Sequence, residues 1–379
     1  MSNATDVFVI GGGPAGLAAA IAARQQGLRV LVADGARPPM DKACGEVLMP
    51  DAITALARLG IFLPAADRSS LRGVRFISSG VSAEATFPSD TEAVSIRRTV
   101  LHRIMAERAA ALGVGLLWQS VVTGIQGEAV RLGNRAMRTS AIRTSAIRTS
   151  WIIGADGANS RVRRWADLDA YSHSKLRYAF RRHYRVAPWN DRMEIHWGKR
   201  CQGFATAVSN DQVCVATASS HPSLRLESAL AEFPELGARL RGAEPTSTER
   251  GAISANRTLR RIWKKNVALI GDASGTVDAI TGEGLGLAFS QALALANCLK
   301  ANTLIGYQAA HRRLALRPSL MARLMLTLDG RPIVQQRTLQ VFRKHPEIFR
   351  RLLALHVGKL SPIQLAADGL TLGWGLLTA

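Results

Sequence analysis

Acidic residues are in short supply: 28 Asp and Glu stand against 49 Lys and Arg, a formal net charge of +21 over 379 residues. Such an excess favours acidic partners, whether phosphate-bearing cofactors, an anionic membrane surface or nucleic acid. The arginines are scattered, however. Zinc-finger spacing, an RNP signature and a basic-helix block are all missing, so nucleic acid is not expected as a partner. Cysteine is scarce too. Cys44, Cys201, Cys214 and Cys298 form no Cys-x-x-Cys pair and keep no histidines at metal-ligand spacing. No metal centre is therefore expected, and reduced thiols fit a cytoplasmic location. No run of about 18 uncharged apolar residues occurs. Residues 267–299 come closest, but Asp272, Asp278 and Glu283 interrupt them. The first residues run straight into a β-rich stretch and a glycine turn, so no signal peptide is expected.

What is present begins at that turn. Val7-Phe8-Val9-Ile10 reads as a strand, Gly11-Gly12-Gly13-Pro14-Ala15-Gly16 as the turn, and LAAAIAARQQG as a helix closed by Gly27. Arg29-Val30-Leu31-Val32-Ala33-Asp34 is a second strand ending in an acid. Strand, G-x-G-x-x-G, helix, strand and acid are the parts of a dinucleotide-binding βαβ unit. Gly11 permits the tight turn, Gly13 lets backbone approach a pyrophosphate, and Gly16 lets the helix pack on the strand. Pro14 and Ala15 open that helix, whose free N–H groups face the phosphates. Asp34 can accept from a ribose hydroxyl. An acid there argues against a 2′-phosphate, so the slot suits FAD or NAD better than NADP.

Two further turns follow. Trp151-Ile152-Ile153 leads into Gly154-Ala155-Asp156-Gly157 and a basic helix from Ser160. Alone, this would read as a strand-to-helix turn capped by Asn159 or Ser160. Later, Asn266-Val267-Ala268-Leu269-Ile270 is a buried strand closed by Gly271-Asp272, and Gly282-Glu283-Gly284 opens a helix with small and apolar residues at helical spacing. Asp272 can accept hydrogen bonds from a polyol. Bare N–H groups at the helix start suit developing negative charge on a flavin ring. One dinucleotide then needs both glycine turns: the first for adenosine and pyrophosphate, the other for the ribityl chain and ring.

The three motifs, in this order over roughly residues 5–305, resemble the FAD-dependent group that includes para-hydroxybenzoate hydroxylase-like monooxygenases, flavin halogenases and geranylgeranyl reductases. The resemblance implies that Gly11, Gly13, Gly16 and Asp34 bind the ADP half of FAD. It implies that Asp156 and Gly157 touch FAD and bear on NAD(P)H use, and that Asp272 binds the ribityl chain with Gly282 and Gly284 near the isoalloxazine. Arg98 resembles the arginine that contacts the flavin side, with Arg97 the competing choice. Many members carry a proline before the Gly-x-Gly turn, where this chain has Ala279, Ile280 and Thr281. Asp41-Lys42-Ala43-Cys44-Gly45-Glu46 resembles the Lys-x-Cys-Gly segment that lies beside the flavin in geranylgeranyl reductase-like proteins. Lys42 is accordingly a cofactor-binding candidate able to lower the thiol pKa, and Cys44 a catalytic candidate.

Within the group, the Trp-x-Trp-x-Ile-Pro segment and catalytic lysine of the halogenases are missing. The Tyr-x-Trp-x-Phe-Pro segment of archaeal-type reductases has a divergent counterpart at Gly203-Phe204-Ala205-Thr206-Ala207-Val208. The expected activity is therefore NADH- or NADPH-dependent hydroxylation of a lipophilic or phenolic metabolite through a flavin C4a-hydroperoxide. The alternative is reduction of isoprenoid double bonds, and a third class is a non-enzymatic flavin- or lipid-binding protein. His196 could polarise a substrate hydroxyl; the competing reading is a strand histidine facing outward.

The expected fold is α/β. A doubly wound, Rossmann-like FAD-binding domain (residues 1–71, 98–170 and 259–305) carries an inserted mixed β-sheet substrate domain (72–97 and 171–258) and a C-terminal helical region (306–379). Trp197, Phe204 and Thr206 are candidate cavity residues. Phe349-Arg350-Arg351-Leu352-Leu353-Ala354-Leu355 is basic and amphipathic, suited either to peripheral membrane contact or to docking on the flavin domain. The five-residue repeat Arg138-Thr139-Ser140-Ala141-Ile142, copied at 143–147 and begun again at 148–150, reads as an expansion in an exposed loop or strand edge.

Overall fold

The computed structural model describes residues 4–134, 145–173 and 175–361. The strand Ala4–Ile10 lies at the centre of a sheet, with Val7, Phe8 and Val9 fully buried. A strand covered on both faces can be apolar at every position, which is why this run does not alternate. It pairs in parallel with Val30–Ala33 on one side and with Ser145–Gly154 on the other. Val267–Leu269 and Gly115–Leu117 extend the parallel core outward on each side. The hairpin of Ser120–Gln126 and Ala129–Asn134 joins Ser145–Gly154 in antiparallel fashion. The helix Pro14–Gln25 has proline in its first turn and nine buried residues. It is apolar nearly all round because helices Arg98–Ala111 and Gly284–Lys300 pack on it.

The end of the repeat lies inside a sheet rather than in a loop or at an edge. Residues 135–144 fall outside the described residues. Ser145 to Ser150, its last copies, are built into the inner strand between Ala4–Ile10 and Ala129–Asn134, with Thr149 paired to Thr5 and buried. Alternating Ile and Thr suit a pleated surface as well as they suit a loop.

A second sheet has eight strands: Gly73–Ser78, Val81–Thr86, Arg177–Arg185, Arg192–Trp197, Cys201–Ala207, Gln212–Ser219 and the short strands Glu244–Pro245 and Arg250–Ser254. It is mixed, because Gly73–Ser78 runs parallel to Arg192–Trp197 while the other pairs are antiparallel. Helices Tyr307–Thr327, Pro332–Lys344 and Pro346–His356 follow. Phe349, Leu353 and Leu355 are buried, and Phe349 stacks on Phe342 at 4.5 Å and meets Phe76 at 5.4 Å. The amphipathic segment therefore docks its apolar side on the second sheet. That side is not free for a membrane, and the end of the same helix also docks on the FAD-binding part, His356 Nε2 lying 3.2 Å from the Thr281 carbonyl. Among the described residues, no helix is long and apolar enough to cross a membrane.

Candidate active site

The first glycine turn is held by its neighbours. Gly11 has φ +109°, and a side chain there would overlap the Ala155 backbone; one at Gly16 would overlap the Gly11 carbonyl. A Cβ on Gly13 would meet nothing within 4 Å, so backbone is open to a ligand there. Asp34 accepts from Gly12 N–H at 2.7 Å and Ala36 N–H at 2.8 Å, tying the second strand to the turn. The distant turn comes to the same place. Gly271 (φ +58°) is so close to Ala15 that an added Cβ would lie 2.6 Å from the Ala15 Cβ. Two glycine turns from opposite parts of the sequence thus pack directly against each other.

Asp156 serves mainly as a cap. It accepts from Ser160 Oγ at 2.5 Å, Arg161 N–H at 2.7 Å and Val162 N–H at 3.1 Å, while Ser160 accepts from Arg163 N–H. Gly157 has φ +82°. Asp272 reaches solvent yet stands among protein atoms, as a group on a cleft floor does. Burial raises its carboxyl pKa, opposed by Lys42, Arg257 and Arg98. Arg98, rather than Arg97, faces this cleft. It is buried, its Nη1 has no protein partner, and desolvation lowers its pKa against the pull of Cys44, Glu46, Asp41 and Asp272. Arg97 instead donates to Gln212 Oε1 at 2.8 Å, toward the second sheet.

Lys42 does not activate Cys44. Burial pushes the half-buried thiol up; Arg98 and Arg181 are the cations that oppose this, and Glu46 reinforces it. Lys42 is exposed and acts on Asp272. The Cys44 loop is clamped by a residue the sequence did not single out. Glu46 is buried in the left-handed region at φ +62°. Its N–H donates to Cys44 Sγ at 3.3 Å, and its carboxylate takes Arg98 N–H at 2.9 Å and contacts His183 Nε2 at 2.6 Å. Arg181 adds bonds to Asp41 and to the Lys42 carbonyl.

His196 turns away from this region. Strand register puts Met193, Ile195 and Trp197 on one face of the second sheet, with Phe204, Thr206, Cys214, Arg181 and His183. That face meets the Cys44 loop. His196 is on the other, buried against Phe233 and 3.2 Å from Glu194. Of the two readings made for it, outward exposure is thereby corrected: helices Leu226–Leu230 and Pro234–Arg239 cover that face, and there His196 lines a second cavity, of about 580 Å³, with Lys199, Arg200 and Glu232.

Trp197 does line a cavity, of about 90 Å³, between the flavin-side face and the C-terminal helices. Its walls include Val74, Phe76, Met193, Ile195, Met325 and Phe349, together with Ile280 and Thr281 of the turn that precedes Gly282. Phe204 and Thr206 share the face but are not in this wall. In place of the family's proline, Asp278 fixes the turn: its Oδ1 accepts from Ile280 N–H at 3.1 Å and from Arg177 Nη1 at 2.8 Å.

The pattern of the FAD binding domain matches residues 4–314. The chain belongs to that family. Among curated proteins it is 27% identical over 307 residues to menaquinone reductase of Mycobacterium tuberculosis, covering 75% of this chain and 74% of that one. It is 24% identical over 298 residues to digeranylgeranylglycerophospholipid reductase of Methanococcus vannielii, covering 76% and 75%. A flavoprotein/dehydrogenase from Cytophaga hutchinsonii has the same fold, with a TM-score of 0.85 over 99% of both chains at 17% identity. The chain is an FAD-dependent oxidoreductase of the fold shared by para-hydroxybenzoate hydroxylase-like and geranylgeranyl reductase-like flavoproteins.

Proposed function

We propose that this FAD-dependent enzyme reduces carbon–carbon double bonds of an isoprenoid chain, drawing electrons from NADH or NADPH. The observation that carries the reading is the cavity at the ring turn. Its wall is almost wholly aliphatic, thioether and aromatic, with no charged side chain to orient a phenol. The named relatives act on menaquinone and on digeranylgeranylglycerophospholipid, compounds that share prenyl chains. This reverses the order in which sequence alone ranked hydroxylation and reduction.

The residues present fit FAD. Gly13 and Gly284 face open space, and Asp34 and Asp272 supply acceptors for ribose and ribityl hydroxyls. Arg98 holds a buried, unpartnered N–H at the cleft. Bound there, FAD supplies the two electrons. The chain's own work is orientation and exclusion of water. Asp278 and Arg177 hold the turn, the sheet face and C-terminal helices enclose the chain, and the Cys44–Glu46 loop closes the cleft with an un-ionised thiol.

Dithionite-reduced, FAD-loaded protein mixed anaerobically with geranylgeranyl diphosphate should yield products heavier by H₂ per double bond saturated. No mass change, together with a transient C4a-hydroperoxide absorbance when phenolic lipids and oxygen are added, would instead assign hydroxylation.

Access from a lipid surface has its own structural support. Leu316, Leu320 and Leu324 form an exposed stripe at helical spacing, Ile333 is exposed nearby, and Leu324 also lines the cavity. Arg313 and Arg323 are exposed on the same side of that helix. The protein should float with anionic vesicles, and Leu316→Ser/Leu320→Ser should cut the bound fraction several-fold; equal flotation of the two proteins would rule this face out.

A further inference from the structure

The apolar cavity has one titratable side chain among its described lining, His356. Saturating a double bond takes a hydride and a proton. On the reading of this cavity as the reduction site, the proton must come through a wall that is otherwise hydrocarbon, sulfur and indole.

Behind His356 lies Glu283, the residue between the two glycines of the ring turn. Its Oε2 is 3.6 Å from His356 Nδ1, just beyond hydrogen-bond distance, and neither atom has a hydrogen-bond partner among the described residues. His356 Nε2 faces the Thr281 carbonyl at 3.2 Å. A carbonyl can only accept, so Nε2 carries the hydrogen and Nδ1 is a bare acceptor. A carboxylate would present lone pairs to that acceptor, whereas a carboxylic acid O–H matches it. The surrounding groups oppose one another, Arg317 and the Thr281 hydroxyl favouring a carboxylate and burial prevailing over them. Asp51 disfavours a carboxylate at Glu283, while Arg317 Nη2 stands 3.5 Å from Glu283 Oε1 but bonds more closely, at 2.8 Å, to Asp51. Burial, reinforced by Asp51, pushes Glu283 up to about 8; burial, with Arg317, pushes His356 down to about 4.

We propose that His356 is the proton donor for reduction in this cavity and that Glu283 is the positioning residue that recharges it. The balance is simple. With the hydride that bound, reduced FAD would supply going to one alkene carbon, the other would take the His356 Nε2 proton, released from the Thr281 carbonyl, and the C=C π bond would be lost as two C–H bonds form. His356 Nδ1 takes the Glu283 proton, so the imidazole ends neutral in its other tautomer. The resulting carboxylate faces Arg317, which stabilises it until, with product gone, water protonates Nε2 and Nδ1 gives its proton back to Glu283, restoring the starting tautomer. The pairing keeps a proton available near neutrality beside an imidazole too weakly basic to hold one itself.

Two readouts need no substrate. Cofactor-free protein at pH 7 should show the infrared C=O band of a buried carboxylic acid that Glu283→Gln removes, and in the wild type that band should fade as pH rises through about 8. Stability should follow. The native state holds the Glu283 proton between the ordinary 4.5 and about 8, so stability falls with rising pH up to about 8. Below the ordinary histidine value of 6.5, the lowered His356 opposes this, leaving a net loss above 6.5 that Glu283→Gln abolishes.

With dithionite-reduced protein and geranylgeranyl diphosphate, His356→Gln keeps a donor for the Thr281 carbonyl but should slow single-turnover reduction about 100-fold. Glu283→Gln should remove the alkaline limb near pH 8 while leaving FAD affinity within about twofold. Wild-type rates in His356→Gln, or a persisting band and limb in Glu283→Gln, overturn the proposal. If the wild type saturates no prenyl chain, the substrate reading fails by itself; the relay is then decided by the band, whose absence at pH 7 overturns it.

Discussion

Gly13→Ala should leave the thermal midpoint of the cofactor-free protein unchanged and yet weaken FAD binding about 100-fold. Gly16→Ala should damage both. The contrast follows from what each added methyl would touch. At Gly13 it enters open space, so folding does not register it. That space is where backbone must approach a pyrophosphate, and a methyl keeps the anion from the helix N–H groups. At Gly16 the methyl meets the Gly11 carbonyl, and Ala155 Cβ lies 3.3 Å away on the other side. Backbone on one side and packed core on the other leave no cheap relief, so helix and strand must part. Flavin fluorescence titration and thermal melts on both variants test this. Equal FAD affinity for Gly13→Ala and the wild type would mean the pyrophosphate does not sit there.

The second large effect is expected at Arg177. Its side chain is 5% exposed and that of Asp278 is 0%, with 2.8 Å between Nη1 and Oδ1. Arg177 also donates to Gln202 Oε1 at 3.1 Å and stands 3.5 Å from Asp329. It thus joins the second sheet, the ring turn and the junction of two C-terminal helices. Arg177→Met strands a buried carboxylate beside a second acid and should cost about 3–5 kcal/mol in urea unfolding. Removing both charges, as Arg177→Met/Asp278→Asn, should recover most of that loss, because the desolvation penalty goes with them. A single variant as stable as the wild type would show that water reaches the pair. The turn between Asp278 and Gly282 should also loosen, so FAD affinity should fall in the single variant and partly return in the double.

Much of this was legible in sequence because it is local. A glycine turn between a strand and a helix states its own geometry, and the apolar run through Phe8 states a doubly covered strand. The mixed sheet was visible as β-rich segments, though not the register that turns Trp197 to the face meeting the Cys44 loop and His196 to the opposite, helix-covered face. A one-residue alternation decides that, and only the pairing fixes its sense. Glu46, Arg181, His183 and His356 were missed because each acts through contacts made over long sequence separations. His183 meets Glu46 137 residues away, and His356 meets Thr281 75 residues away. Only Glu283 left a trace: an acid between two glycines, inside an apolar run, has no solvent to justify it. Cys44 was read as a loop residue between Lys42 and Glu46 with Lys42 lowering its pKa, whereas burial raises it and the opposing cations are Arg98 and Arg181, brought in from distant segments.

The central strand also sets a schedule. Ala4–Ile10 leaves the ribosome first, and its neighbour Val30–Ala33 follows at once. Its other partner, Ser145–Gly154, is made much later, and Val267–Leu269 with the ring helix later still. Gly73–Ser78 likewise waits for Arg192–Trp197. A growing chain therefore holds two half-built sheets with open edges for most of its synthesis, the condition in which strands find wrong partners. The two facing glycine turns can grip one molecule only when residue 271 and the helix after it have been added. A cofactor that binds both turns would therefore stabilise only chains in which these late pairings have formed, by mass action on the folded state.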